Sequence, residues 1–253
     1  MPVEAAGYNR NHLSSEGALP LIRFSWLATF AVLAFATSAA AFPPYRSTDA
    51  GTADPWAVEA RLGLLRLRRD GGENLYSSPL LRLNLGLPGG VELISELEVR
   101  PGRGGLTDAA LGAKWAPVQG RWSVGIEALM LLPVPDARGT GVESQLILTY
   151  RDDARGLRLH LNGGGFYDGR PEPAEKAWRA SALAELERGR YRPGLEVFSR
   201  KIGARPVEVL LGPGVIVDLG RIDVRLGLHV GITGAAPDMV FDAWTSAVMA
   251  LRR

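Results

Sequence analysis

The chain has 253 residues, enough for one large all-β domain or two small ones. Its formal net charge is only +2 with 22% charged residues, and the basic residues are not clustered, which argues against a nucleic-acid surface. It contains no Cys, so a disulfide framework, a Cys-based metal site and a lipid-modified N-terminal Cys are excluded.

Residues 1–20 carry Glu4 and Glu16 and are too mixed for the basic start of an export signal. From Phe24 to Ala41 no residue is charged: "FSWLATFAVLAFATSAAA". Arg23 precedes this run and Ala39-Ala40-Ala41 closes it. That layout is a secretory signal peptide over residues 1–41, with cleavage after Ala41. A transmembrane helix is the competing reading, since 18 uncharged residues is borderline for a span. The small residues at the end, with Thr37 and Ser38 beside them, favour cleavage. Residues 42–55 are then expected to form an N-terminal periplasmic segment, and 56–253 the folded domain.

Alternating segments follow at about 56–69, 75–87, 90–100, 107–116, 121–132, 143–151, 157–167, 177–187, 190–200, 206–219, 222–232 and 239–251. That predicts about twelve strands, an even number. The segment "AEKAWRASALAELERGR" is rich in good helix formers, but the surrounding rhythm assigns it as a strand. In "VELISELEVR" (91–100), Val91, Leu93, Leu97 and Val99 share one parity, and Glu92, Glu96, Glu98 and Arg100 share the other. One face of this strand is therefore apolar and one charged. In a soluble sheet the apolar face meets a core; in a membrane barrel it meets lipid.

Two patterns decide between these. The connections alternate: "RDGGEN", "VRPGRGGLT", "PVPDARGTGV", "DGRPEPAEK", "SRKIGARP" and "TGAAPD" are longer, and "PGG", "APVQG", "RDDARG", "ERG" and "GR" are mostly shorter. Outer-membrane barrels have short periplasmic turns and longer extracellular loops. The aromatic residues are also segregated. Trp56, Trp115, Trp122, Tyr150 and Tyr191 fall beside the short turns with outward parity, and Tyr167, Trp178 and Phe241 fall at the opposite strand ends. Amphipathic rings are most favourable at headgroup level, so these eight are expected to form two girdles. The sequence thus predicts an all-β, antiparallel up-and-down transmembrane barrel of about twelve strands. Backbone groups in hydrocarbon need partners, so the sheet must close.

Inward parity then assigns the candidate lumen-lining residues. They are Arg61, Arg82, Glu92, Glu96, Lys114, Glu127, Arg158, His160, Arg179, Glu185, Arg192, Glu196, Glu208, Asp218, Asp223, Arg225 and His229. One reading is a polar pathway that filters solutes. The other is an internal ladder of salt bridges that fills a narrow barrel, because mixed signs pair readily. His160 and His229 have no metal-ligand spacing around them, so no metal or cofactor is expected. Outer-membrane phospholipases also use about twelve strands with Ser and His, but no defensible Ser–His arrangement is present and no enzyme is expected. "NGGG" (162–165) precedes no helix and is not a phosphate loop; it suits strand bending or close packing.

Four motifs in order resemble a bacterial family, the outer-membrane proteins of the meta-pathway of phenol degradation. "RSTDAGTADPWAVEARLG" (46–63) looks like the family's Thr-Asp-Asp-Ala-Gly-Thr run and a first strand carrying Glu, here Glu59. "LTDAALGAKWAP" (106–117) looks like its Leu-Gly-Asp-hydrophobic-Gly-Ala-Lys strand, "LLPVPDARGTG" (131–141) its Leu-Pro-Thr-Gly-Asp loop, and "LHLNGGGFYDG" (159–169) its Asn-Leu-Gly-aromatic strand. Val134-Pro135 departs from Thr-Gly in the loop, and the terminal "MALRR" departs from the aromatic end usual in such barrels. The resemblance implies an exported outer-membrane barrel, a passive channel for small organic, including aromatic, compounds. A closed structural or interaction barrel is the alternative. The expected partners are outer-membrane lipid, the barrel assembly machinery and a small solute.

Overall fold

A computed structural model describes residues 44–100, 105–135 and 138–251. The signal segment assigned to 1–41 lies outside the described residues. All regular elements among those described are strands: β1 (Ala57–Asp70), β2 (Glu73–Ser77), β3 (Leu80–Leu87), β4 (Val91–Arg100), β5 (Gly105–Val118), β6 (Trp122–Leu131), β7 (Gly141–Asp152), β8 (Leu157–Asp168), β9 (Glu175–Leu186), β10 (Tyr191–Ile202), β11 (Glu208–Asp218), β12 (Ile222–Gly231) and β13 (Met239–Ala250). Each pairs antiparallel with its chain neighbour, apart from β2 and β3, which share β1 as partner. β13 returns to pair with β1, so the sheet closes.

The predicted second strand, 75–87, is divided. Pro79 has no N–H for the ladder. Opposite it, β1 carries a bulge between Gly63 and Leu65. β2 pairs with the outer half of β1, from Arg66↔Ser77 to Asp70↔Glu73, and β3 pairs with the inner half, from Gly63↔Leu80 to Val58↔Leu85. The Ser78 hydroxyl donates to the Leu64 carbonyl at 2.8 Å and closes the gap. β2 and β3 are one stave, and the wall has twelve staves.

The alternation determines which way each face looks. On β6 the burial alternates strictly: Ser123, Gly125, Glu127, Leu129 and Leu131 are buried, and Trp122, Val124, Ile126, Ala128 and Met130 are exposed. Exposed apolar side chains continue round the wall, among them Leu93, Leu97, Leu111, Leu146, Leu161, Leu195 and Val230. The charged parity is the buried one. A soluble barrel would reverse this arrangement; an outward apolar belt with an inward polar set is the pattern imposed by lipid. The segment rich in helix formers is strand β9, because its backbone groups pair with β8 and β10 along their length.

The candidate girdle residues lie at the two rims. Trp56, Trp115, Trp122 and Tyr191 are exposed at the short-turn end, and Tyr150 stands directly across the ladder from Trp122. Those two rings are 4.8 Å apart between centroids, and Arg121 lies over Tyr150 while donating to its hydroxyl at 2.6 Å. Tyr167 and Trp178 are exposed at the other end, where Phe241 is half-buried.

Candidate functional site

The lumen is organised in levels. Towards the short-turn rim, Arg61 grips Glu59 through two bonds of 2.8 and 2.6 Å. Arg225 bonds Asp223 at 2.7 Å on both carboxylate oxygens, Ser246 at 2.8 Å and Glu59 at 3.3 Å. Lys114 lies 3.3 Å from Glu92, and Arg192 lies 3.2 Å from Glu185. At mid-height Arg82 holds Glu127 at 2.9 Å, Glu96 and the Asn84 amide oxygen. Gln145 completes Glu127 at 2.9 Å, and His229 pairs with Glu196 at 2.8 Å. Strand geometry explains the pairings: cross-strand neighbours such as Glu92↔Lys114, Arg82↔Glu96 and Arg158↔Glu185 bring opposite charges to one height.

Towards the longer loops the pairs become wetter. Arg66 reaches Asp242 at 2.7 Å and Glu98 at 3.2 Å, Arg179 reaches Glu143 at 2.5 Å, and Arg200 reaches Glu208 at 2.7 Å. Arg66 and Glu96 are 31% and 32% exposed, whereas Glu185, Glu196, His160 and His229 are fully buried at 0%. Solvent therefore reaches the loop-side vestibule and stops below it.

What stops it is the chain itself. Residues 44–55, expected to be a periplasmic segment, instead run round the inside of the wall before entering β1. The Pro44 ring lies against Gly227 on β12, and Tyr45 lies against Gly194 on β10 and Gly214 on β11. A Cβ at Gly194 would fall 2.5 Å from the Tyr45 hydroxyl, so only glycine leaves room for the ring there. Tyr45 also packs on Leu183 and Ile216. The Arg46 and Ser47 amides donate to Glu196 at 2.9 and 2.5 Å, and the Ser47 hydroxyl donates to it at 2.6 Å. Asn162 accepts from the Thr48 amide at 2.8 Å and donates to its carbonyl at 2.9 Å. Ala50 donates to the Thr149 hydroxyl at 2.9 Å, and Ala53 to Glu92 at 2.7 Å. Arg151 reaches Asp49 at 3.3 Å. Ser47, Thr48, Asp49 and Ala50 are fully buried. The correction has a simple physical cause. These polar residues have no strand rhythm, and buried main-chain N–H groups need acceptors; here the acceptors are lumen side chains up to 150 positions away.

One buried polar line runs on from the segment. The Thr149 hydroxyl accepts from the Ala50 amide at 2.9 Å and lies 3.0 Å from His160 Nδ1. His160 Nε2 lies 3.0 Å from the Glu185 carboxylate. Thr149, His160 and Glu185 make a hydroxyl–imidazole–carboxylate line that sequence reasoning did not find. The hydroxyl is 0% exposed and capped by the Ala50 amide, so the line serves to hold the inner segment.

Most candidate lumen residues stand on the inner face. Arg158 lies near the short-turn rim, bonded to Glu187 at 2.5 Å. Asp218 is a correction: it is the last residue of β11, it is exposed, and it accepts the Gly220 amide at 2.6 Å in the turn. Parity reasoning omitted Glu59, Asn84, Arg66 and Asp242. It also omitted an inner apolar layer of Ile94, Ala110, Leu129 and Leu131, and Trp244, which faces inward at 5% exposure. No group of three or more His, Cys, Asp or Glu able to hold a metal ion occurs among the described residues.

No protein-family model and no curated protein matches the chain. Solved structures do. An outer membrane channel from Pseudomonas putida F1 superposes with a TM-score of 0.60 at 10% identity, over 79% of this chain and 98% of that one. The NanC porin gives 0.54 at 11% identity, over 77% of this chain and 100% of its own. The fold is an outer-membrane β-barrel. At these identities the likeness is one of architecture alone, and what the lumen does follows from its own side chains.

Proposed function

We propose that this barrel is a non-catalytic outer-membrane channel for the passive passage of small organic solutes. One observation carries the reading: a closed wall with an apolar exterior encloses charges of both signs, and Arg66, Arg179 and Arg200 on the longer-loop side are partly exposed where Arg82 and Glu127 at mid-height are buried. A barrel with only a structural role has no need of a wetted vestibule. The two architectural neighbours are described as a channel and a porin, which supports the reading. The motif resemblance to the meta-pathway family makes aromatic compounds the first solutes to try. The lipid contact is the apolar belt between the girdles, and the assembly machinery is the partner for insertion.

The test is conductance of the purified full chain in a planar bilayer. Small discrete steps with weak ion selectivity are expected, because the lumen charges largely cancel. Silence with folding verified by heat-modifiability would favour the closed structural barrel. Strong selectivity would show that uncompensated charge lines the path.

Export is proposed with it. If Ala39–Ala41 is a processing site, N-terminal sequencing of outer-membrane fractions should begin at Phe42. An intact N-terminus recovered from the inner membrane would overturn both the signal and the location.

A further inference from the structure

The segment at 44–53 is bound unlike any other part of the lumen. Its main chain takes no part in the sheet, and side chains of the wall hold that main chain through polar bonds. Glu196, Asn162, Thr149 and Glu92 accept its amides in order from β10 through β8 and β7 to β4. Asn162 pairs with both main-chain groups of Thr48, accepting from its N–H and donating to its carbonyl. Its non-polar anchors are the Tyr45 ring on Leu183 and Ile216, Pro44 against Gly227, buried Ala50, and Arg46 over the Phe198 ring. The polar bonds each exchange for water at small net cost. Leaving them unmade in a dry site costs more, so vacated acceptors would be filled by water or by a donor-bearing solute. The segment lies at the level where exposure falls from about a third to zero.

We propose that residues 44–53 are a displaceable plug, and that the acceptors holding it form the solute-binding constriction of the open channel. The site is fitted to small solutes that offer amide N–H donors, which take the places of the plug's own peptide groups. The proposal deepens the channel reading and rests on it. Passage requires that such binding be strong enough to admit the solute and weak enough to release it.

The chain has no Cys, so one engineered pair can be read without background. A Cβ built at Gly125 on β6 lies 3.6 Å from the Ala50 Cβ, within the usual range of about 3.5–4.5 Å for a disulfide. The full chain carrying Ala50→Cys and Gly125→Cys, in liposomes, should therefore lock when oxidised. Swelling is measured with N-acetylglycinamide and with erythritol, two neutral solutes of similar size. Oxidation should reduce both rates to those of protein-free vesicles, and reduction should restore them. Reduced protein should pass the amide roughly two- to tenfold faster than erythritol, the scale of one net hydrogen bond. Asn162→Leu should raise both rates and abolish the preference. Equal swelling in the oxidised and reduced states would overturn the plug while leaving the channel standing. Equal rates for the two solutes in reduced protein would overturn the amide site. No swelling by wild type, reduced pair or Asn162→Leu, with heat-modifiable folding verified in each, would overturn the channel itself.

Discussion

Leu146→Arg is expected to destabilise the folded barrel by about 2–4 kcal/mol, the cost of a guanidinium on the lipid face near the bilayer midplane. Leu146 sits halfway along β7, between Ile126 on β6 and Gly163 on β8, and is 64% exposed. Its neighbour Gly163 has no side chain that could shelter the charge, and the aromatic rims are about a half-strand away in either direction. Reversible urea unfolding in lipid vesicles measures the loss. Leu146→Phe keeps the face apolar and should change stability by less than about 1 kcal/mol. An arginine tolerated at 146 without loss would mean that this face does not meet hydrocarbon.

The second large effect is expected inside. Arg82 is the shared cation of Glu96 and Glu127, and both Arg82 and Glu127 are 2% exposed. Arg82→Met removes the cation and leaves Glu127 held by the Gln145 amide. Removing one member of a buried pair typically costs about 3–5 kcal/mol, because the other charge stays behind uncompensated. The double variant Arg82→Met with Glu127→Gln should regain a large part of that. The same urea assay reads the coupling as a double-mutant cycle. A single-variant loss below about 1 kcal/mol would show that water reaches Glu127 and screens it.

The wall was legible because a strand with two solvents writes its solvents into alternate residues. "VELISELEVR" shows this: its carboxylates face the lumen, and Leu93 and Leu97 face out. Where that rule loses a residue, legibility fails. The bulge between Gly63 and Leu65 moves the inward set on β1 from odd to even numbers. Arg66 therefore turns inward to Asp242, although strict counting from Arg61 would place it outside. Ile94 shares the parity of Glu92 but packs inward on Ala110, Leu129 and Leu131, so the lumen is not uniformly polar. The inner segment was illegible for a different reason. Its sequence "YRSTDAGTAD" has neither periodicity nor apolarity, and its shape is dictated by acceptors on strands far along the chain. A trace of it was present in the inward glycines Gly194 and Gly214 at matching height, which mark a place where backbone or ring comes close.

The seam between β1 and β13 joins Ala57 to Ala250, so the last strand completes what the first began. The inner segment leads directly into β1. The acceptors that hold it come from β4, β7, β8 and β10, so its bonds are complete only when those strands stand in one ring. Closing the wall and filling its bore thus draw on the same sheet.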